Sequence, residues 1–181
     1  MIAFHYPPLR GSSGIQRTLA FSRDLRDHGW EPIVLTAHPR AYENTGDDQL
    51  ADIPEGVPVY RPFALDAARH LALRGAYPKL LALPDRWSSW SLGAIPCGLG
   101  ILRRHRPDLI WSTYPIATAH VIGRWLHTLS GTPWVADFRI FEFFFEIDAD
   151  KLLRRLIENE HNRIVTCAMI AVEVERIDIS L

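Results

Sequence analysis

The sequence is poor in the features that indicate a disulfide-stabilised, membrane-spanning or nucleic-acid-binding protein. Its two cysteines, Cys97 and Cys167, stand far apart and form no metal or redox motif. No uninterrupted apolar run approaches the ~18–20 residues that a membrane span needs. The formal net charge is -1, so no overall field selects nucleic acid. We therefore expect a cytoplasmic protein, and peripheral contact with the inner face of the membrane stays open.

The N-terminal stretch, residues 4–36, predicts a strand end, a loop of small residues, an amphipathic helix and a second strand. Pro7 and Pro8 lack N–H donors and end the first strand. The loop is followed by the start of a helix, which favours an anion. A tight connection that binds nothing is the alternative, since the spacing matches neither the dinucleotide fingerprint nor a P-loop. The loop consists of Gly11, Ser12, Ser13 and Gly14.

The two longest amphipathic patterns predict which helix faces are buried. In the first helix Arg17 is predicted to lie opposite the apolar face, and either Ser12 or Ser13 to cap the N-terminus. The residues predicted to face inward are Ile15, Leu19, Ser22 and Leu25 in this helix, and Ala119, Ile122, Trp125, Leu126 and Leu129 in a helix ending near Ser130.

Polar residues follow two further predicted strands, 107–113 and 134–138. The carboxyl ends of parallel strands form the ligand crevice of an open sheet, and the small-residue loop belongs to the same edge. Asp137 and Arg139 are two residues apart and point to one side, where they can bind a ligand or simply pair with each other. The other candidates here are Ser112, Tyr114 and His120, although a lone histidine can equally be a packed or solvated residue.

Four segments in this order resemble one known family: Y-P-P-L-R-G-S-S-G-I-Q-R, G-W-E-P-I-V-L-T, P-D-L-I-W-S-T-Y-P and G-T-P-W-V-A-D-F-R. Together they resemble the N-terminal domain of the family 4 glycosyltransferases, retaining enzymes of GT-B architecture, over most of residues 1–139. The resemblance implies an α/β fold with a three-layer Rossmann-like parallel sheet flanked by helices. It also implies a nucleotide-sugar donor as substrate, no cofactor, and a glycan or lipid-linked acceptor.

The same resemblance implies roles for the residues of the crevice. Asp137 and Arg139 take the catalytic positions on the acceptor side. Similar members continue D-F-R-D, whereas Ile140 replaces the second aspartate here. The apolar and basic residues 64–92 form either a surface for an anionic or lipid-linked acceptor or a covering subdomain with a solvated basic edge. The substrate-binding residues are Gly11, Ser12, Ser13, Gly14, Ser112, Tyr114 and His120.

A second, donor-binding domain holds most nucleotide-sugar contacts in this family. The 181 residues suffice for one domain, so we expect an excised piece, a truncated gene product or one half of a split enzyme. Such a chain should be inactive alone and completed by the donor domain in cis or in trans. No metal is expected, because no Asp-X-Asp stands at a strand end and Asp148 and Asp150 are predicted to cap a helix.

Two alternatives remain open at this point. A nucleotide-sugar epimerase of the same architecture would need several acids and a histidine in the crevice. A non-catalytic binding module of the same fold is favoured by Ile140 and by the phenylalanine-rich segment 141–145. A dehydrogenase is disfavoured, since no G-X-G-X-X-G follows a strand.

Overall fold

A computed structural model describes residues 1–71 and 83–138. Several predictions concern residues outside these ranges: the side chain of Arg139, the aspartate pair at 148–150, the phenylalanine-rich segment, and the last predicted helix and strand.

Within the described ranges the chain alternates helices with short parallel strands. The helices are α1 (Gly14–Asp24), α2 (Ala67–His70), α3 (Trp90–His105) and α4 (Ala117–Ser130), and two 3-10 turns span Leu25–His28 and Pro39–Ala41. The strands are β1 (Val34–Leu35), β2 (Val59–Tyr60), β3 (Ile110–Thr113) and β4 (Trp134–Asp137). The observed architecture is therefore α/β.

Glycines end the helical segments that precede β1 and β4. Gly29 (φ 78°) follows the 3-10 turn after α1, and Gly131 (φ 74°) follows α4. Both adopt the left-handed conformation that glycine tolerates without a Cβ penalty. Each strand can therefore begin within a few residues of the helix that precedes it.

The first residues of the chain join the two strand pairs. β1 pairs in parallel with β2, and β3 with β4. Ile2 forms parallel bridges to Leu35 on one side and to Ser112 on the other. Its N–H donates to the Trp111 carbonyl at 2.7 Å, and the Leu35 N–H donates to the Met1 carbonyl at 2.8 Å. The spatial order is β2, β1, Ile2, β3, β4, and the predicted first strand is reduced to these single bridges.

Adjacent residues of β3 face different helices. The Trp111 ring packs 4.7 Å from that of Phe21 in α1, whereas the Ser112 hydroxyl contacts His120 in α4. Side chains alternate between the faces of a strand, so α1 and α4 cover opposite faces. The two faces of β3 and β4 therefore place different side chains beside different helices.

Two contacts fix the position of α4. A Cβ added to Gly98 of α3 would lie 2.6 Å from Leu126, so glycine permits the close approach of these helices. At the other end Asp85 accepts hydrogen bonds from the backbone N–H and the hydroxyl of Thr118, at 2.7 and 2.8 Å. The carboxylate thus satisfies a donor that the first turn of a helix leaves unpaired, and it holds the start of α4 beside the ends of the strands.

The predicted inward face of α4 is partly wrong. Ala119, Ile122 and Leu126 are buried, but Trp125 and Leu129 are 51% and 54% exposed. Because successive residues are about 100° apart on a helix, the stripe through 119, 122 and 126 turns 125 away from α3 and the sheet. Thr118, His120 and Gly123 are buried as well, so the covered face of α4 is shifted around the helix relative to the predicted one.

Candidate functional site

The ends of β3 and β4 meet at the carboxyl edge, the edge of the sheet at which its parallel strands end. Thr113 is in register with Asp137. The Thr113 hydroxyl donates to Oδ2 of Asp137 at 3.1 Å, and the N–H of Tyr114 donates to the Asp137 carbonyl at 3.0 Å. Two polar strand ends that lie 24 residues apart in sequence are therefore in direct contact.

Arg17 of α1 completes this group, which we call the ionic cluster (Arg17, Thr113 and Asp137). Its guanidinium forms a hydrogen bond to the Thr113 hydroxyl and a salt bridge to Oδ2 of Asp137. The guanidinium carbon lies 6.0 Å from the Phe21 ring centre and 5.7 Å from that of Trp111. The side chains of Arg17 and Asp137 are only 20% and 24% exposed, so the pair is partly withdrawn from water.

The position of Arg17 corrects the prediction that it lies on the outer face of α1. Helical periodicity assigns it away from the apolar stripe, but its long side chain extends to the strand ends beside the helix. The sequence did contain a signal for this position, because Arg17 follows Gly14 of the small-residue loop by only three residues. The first turn of a helix that starts at the carboxyl edge stays close to that edge, whichever face is apolar.

The small-residue loop is packed against His5, near the end of the first extended segment. The Ser12 hydroxyl accepts from the Gly14 N–H at 3.2 Å and lies 2.8 Å from Nδ1 of His5. Ser13 occupies the N-cap position but makes no side-chain cap bond, so Ser12 serves this end of the helix. A Cβ on Gly14 would approach Nδ1 of His5 to 2.7 Å, and Gly11 has φ 81°. Glycine is therefore required here for close packing and for a left-handed turn.

His120 belongs to a second group on the opposite face of the strands, which we call the imidazole cluster (Ser112, His120 and Trp134). The Ser112 hydroxyl lies 2.8 Å from Nδ1 of His120 and accepts from the Trp134 indole N–H at 2.8 Å. The imidazole is 8% exposed, and its ring centre is 4.3 Å from that of Phe138. Burial lowers the pKa of His120 to about 4, so the ring is neutral at pH 7.

The predicted site residues therefore fall into three neighbouring groups along one edge. Asp137 is in the ionic cluster, Ser112 and His120 are in the imidazole cluster, and the small-residue loop contacts His5. Tyr114 is 37% exposed at the end of β3. Sequence reasoning missed Arg17 and Trp134. Trp134 is paired with Ile110, and Ala136 with Ser112. Because side chains alternate along a strand, Trp134 lies on the same face as Ser112, and this alternation could have predicted its place in the cluster.

Two other kinds of site are absent from the part of the chain that the structure describes. Within residues 1–71 and 83–138, no three His, Cys, Asp or Glu side chains come together to hold a metal ion. In the same ranges no helix combines the length and the apolar character that crossing a membrane requires.

A family model described as a glycosyl transferase 4-like domain matches residues 13–175. This chain belongs to that family. The match begins at the small-residue loop and extends past β4, so both clusters lie within the glycosyl transferase 4-like domain. It confirms the resemblance inferred from four short segments. Comparison with curated proteins and with solved structures finds no match.

The glycosyl transferase 4-like domain thus presents two kinds of polar chemistry at one edge. A carboxylate held by a guanidinium and a hydroxyl can accept hydrogen bonds from a substrate hydroxyl. Because the guanidinium and the Thr113 hydroxyl hold this carboxylate in place, it is suited to orienting a substrate hydroxyl. A neutral imidazole in contact with a serine can donate one hydrogen bond without changing its charge.

Proposed function

We propose that this domain is the acceptor-side half of a retaining glycosyltransferase of GT-B architecture. It would act in glycan or polysaccharide biosynthesis, where a nucleotide sugar donates the sugar to a glycan or lipid-linked acceptor. The observation that carries the proposal is the ionic cluster, in which Arg17, Thr113 and Asp137 converge on the carboxyl edge of a family 4-like domain.

The proposed architecture is a three-layer Rossmann-like sheet. Its support is the order of the extended segments, in which the first segment of the chain lies at the centre and later pairs extend on both sides. Further support comes from α1 and α4, which cover opposite faces. In open sheets of this kind ligands bind outside the carboxyl ends of the strands, where the order reverses. That point lies beside Ile2 and β3, next to both clusters.

Asp137 is proposed to orient the acceptor. Both side-chain contacts described for its carboxylate use Oδ2, and we assign Oδ1 to a hydroxyl of the acceptor sugar. Arg17 and Thr113 hold the carboxylate in one position, which keeps the acceptor oxygen in a fixed geometry for transfer. Arg139 is proposed to neutralise a phosphate or to hold the acceptor. Gly11–Gly14 is proposed to let the backbone approach the ligand closely.

The donor requires further groups. A sugar transfer develops negative charge on the diphosphate leaving group, which must be stabilised. We propose that a donor-binding domain, in cis or in trans, supplies those contacts and faces the carboxyl edge of this domain. Transfer should therefore require both domains, and the acceptor-side domain should not catalyse it alone. Tyr114 and Phe138, which follow β3 and β4, would then line one wall of a shared cleft.

The test measures release of nucleoside diphosphate from a panel of nucleotide sugars, with glycolipid and glycan fractions as acceptors, in the protein with its donor-binding domain. Asp137→Asn should lower kcat by about 100-fold, the order expected for loss of a positioning contact, with the KM for the donor unchanged. Asp24→Asn is the matched control, because Asp24 forms an exposed pair with Arg23.

Equal activity of Asp137→Asn and Asp24→Asn would contradict the role of the ionic cluster. Interconversion of a nucleotide sugar without any acceptor would indicate an epimerase. Binding of a glycan without turnover of any donor would indicate a binding module of the same fold.

A further inference from the structure

The imidazole cluster has a defined direction of hydrogen bonding. An indole N–H can only donate, so Trp134 occupies one lone pair of the Ser112 oxygen at 2.8 Å. The Ser112 hydroxyl carries a single hydrogen and is fully buried. Among the residues that the structure describes, Nδ1 of His120, 2.8 Å away, is the acceptor within its reach. The hydrogen bonds therefore run from Trp134 to Ser112 to His120.

This direction fixes the tautomer of His120. A nitrogen that accepts a hydrogen bond carries no proton, so the proton of the neutral ring is on Nε2. The side chains in described contact with the ring are Ser112 and Phe138, and neither carries a charge. The lowered pKa of His120, caused by burial, agrees with a neutral ring.

The Nε2–H is then a donor without an acceptor among residues 1–71 and 83–138. Nε2 is buried and has no hydrogen-bond partner in the described part of the chain. Nearly all buried polar groups are hydrogen-bonded, and the exceptions are often functional. His120 is the fourth residue of α4, so this donor lies close to the carboxyl edge.

The ring of Phe138 packs against this imidazole. Its ring lies 4.3 Å from the imidazole with an interplanar angle of 33°, yet 47% of Phe138 is exposed. It follows directly after Asp137, whose carboxylate belongs to the ionic cluster. Rotation of this partly exposed ring would uncover the imidazole at the carboxyl edge and leave its contact with Ser112 in place.

We propose that the Nε2–H of His120 is a substrate-binding donor, which binds an oxygen of the acceptor when the ring of Phe138 moves aside. The ligand group is an oxygen lone pair, supplied by a sugar hydroxyl or by a phosphate. Ser112 and Trp134 are positioning residues, because they hold His120 in the donor tautomer. The identity of the ligand as acceptor rests on the proposed function, whereas the tautomer and the opening by Phe138 do not.

The first experiment is NMR of the ¹⁵N-histidine-labelled chain between pH 6 and pH 8, which distinguishes a protonated from an unprotonated ring nitrogen. We expect the proton of His120 on Nε2 throughout, and a mixture of tautomers in Ser112→Ala. Ser12→Ala is the matched control, because Ser12 makes the equivalent contact with His5. Ser12→Ala should change the tautomer of His5 and leave the tautomer of His120 unchanged. A proton on Nδ1 of His120 in the unaltered chain would overturn the proposal.

The second experiment tests binding with methyl α-D-glucopyranoside and with inorganic phosphate as separate probes. In Phe138→Ala the Nε2–H of His120 should exchange with water about tenfold faster. At least one of the two probes should shift the resonance of this Nε2–H, and that probe should bind more tightly than it does to the unaltered chain. The responding probe identifies the source of the oxygen. Phe138→Ala combined with His120→Leu should lose this gain.

The two experiments separate this inference from the proposed function. If neither probe shifts the Nε2–H in either chain, the inference is refuted, while the effect of Asp137→Asn on transfer still decides the proposed function. If a probe binds His120 but the protein with its donor-binding domain turns over no nucleotide sugar, the hydrogen-bond donor role of His120 stands and the transferase is refuted.

Discussion

The two faces of one short strand pair carry opposite kinds of polar chemistry. On the α1 face the ionic cluster joins a carboxylate, a guanidinium and a hydroxyl. On the α4 face the imidazole cluster joins an indole, a hydroxyl and an imidazole that is neutral because burial lowers its pKa. Ser112 and Thr113 are consecutive residues, yet each belongs to a different cluster.

Access to water accounts for the difference. The paired charges of the ionic cluster keep a fifth to a quarter of their side-chain surface exposed, so their desolvation is incomplete. In the imidazole cluster Ser112 and His120 are buried, and a charge on the imidazole would be costly there. The strand ends therefore supply a charged acceptor and a neutral donor side by side, and burial keeps the imidazole in its neutral form.

The largest expected effect is the pH dependence of folding stability that His120 of the imidazole cluster causes. The pKa of His120 is about 4 in the folded chain and 6.5 is its ordinary value. Above pH 6.5 the ring is neutral in both states and contributes nothing to pH dependence. As the pH falls from 6.5 toward 4, the unfolded chain takes up a proton first, and stability is lost. Each tenfold change in proton affinity is worth about 1.4 kcal/mol, so the loss is at most about 3 kcal/mol, and solvent screening reduces it toward about 2.

Urea unfolding of the unaltered chain and of His120→Gln at pH 7 and pH 4.5 measures this contribution. Other groups, including His5 with its lowered pKa, titrate in both chains and cancel in the difference. His120→Gln should lose less stability on acidification. Equal losses in the two chains would mean that His120 is not the buried neutral base described here.

The next effect perturbs the imidazole cluster through its packing. A Cβ on Gly123 of α4 would lie 2.4 Å from Nε1 of Trp134, whereas a Cβ on Gly100 of α3 would have no atom within 4 Å. Gly123→Ala should displace the indole from Ser112 and destabilise the fold by roughly 1 to 2 kcal/mol after the helix propensity gain. Gly100→Ala should stabilise by up to about 1 kcal/mol.

Chemical denaturation of both variants, followed by tryptophan fluorescence, gives these values. The Nε2–H resonance of His120 should change in Gly123→Ala alone. A stable Gly123→Ala chain with an unchanged resonance would show that the indole does not hold the serine.

The sequence was sufficient for the order of elements and for part of the site. Periodicity predicted α1, α4 and the strands after them, and polar residues at the ends of β3 and β4 indicated where the edge lies. The partner of Asp137 was not predictable from periodicity, since the side chain of Arg17 leaves the outer face of its helix to reach two strand ends. The pattern in α4 also overstated the burial of Trp125. A helical pattern of apolar residues records hydrophobicity, but it does not show which sides of the helix other elements cover.

The smallest expected effect concerns the ionic side. A double-mutant cycle of Arg17→Ala and Asp137→Ala should give a coupling free energy of about 1 kcal/mol. Breaking a fully buried pair costs more and exposed pairs contribute little, and the 20% and 24% exposure of these side chains places them between these limits. The Arg23 and Asp24 pair, whose side chains are 71% and 55% exposed, is the control and should show no measurable coupling. If the two pairs couple equally, the ionic cluster is an ordinary surface pair, and the contrast with the buried imidazole cluster disappears with it.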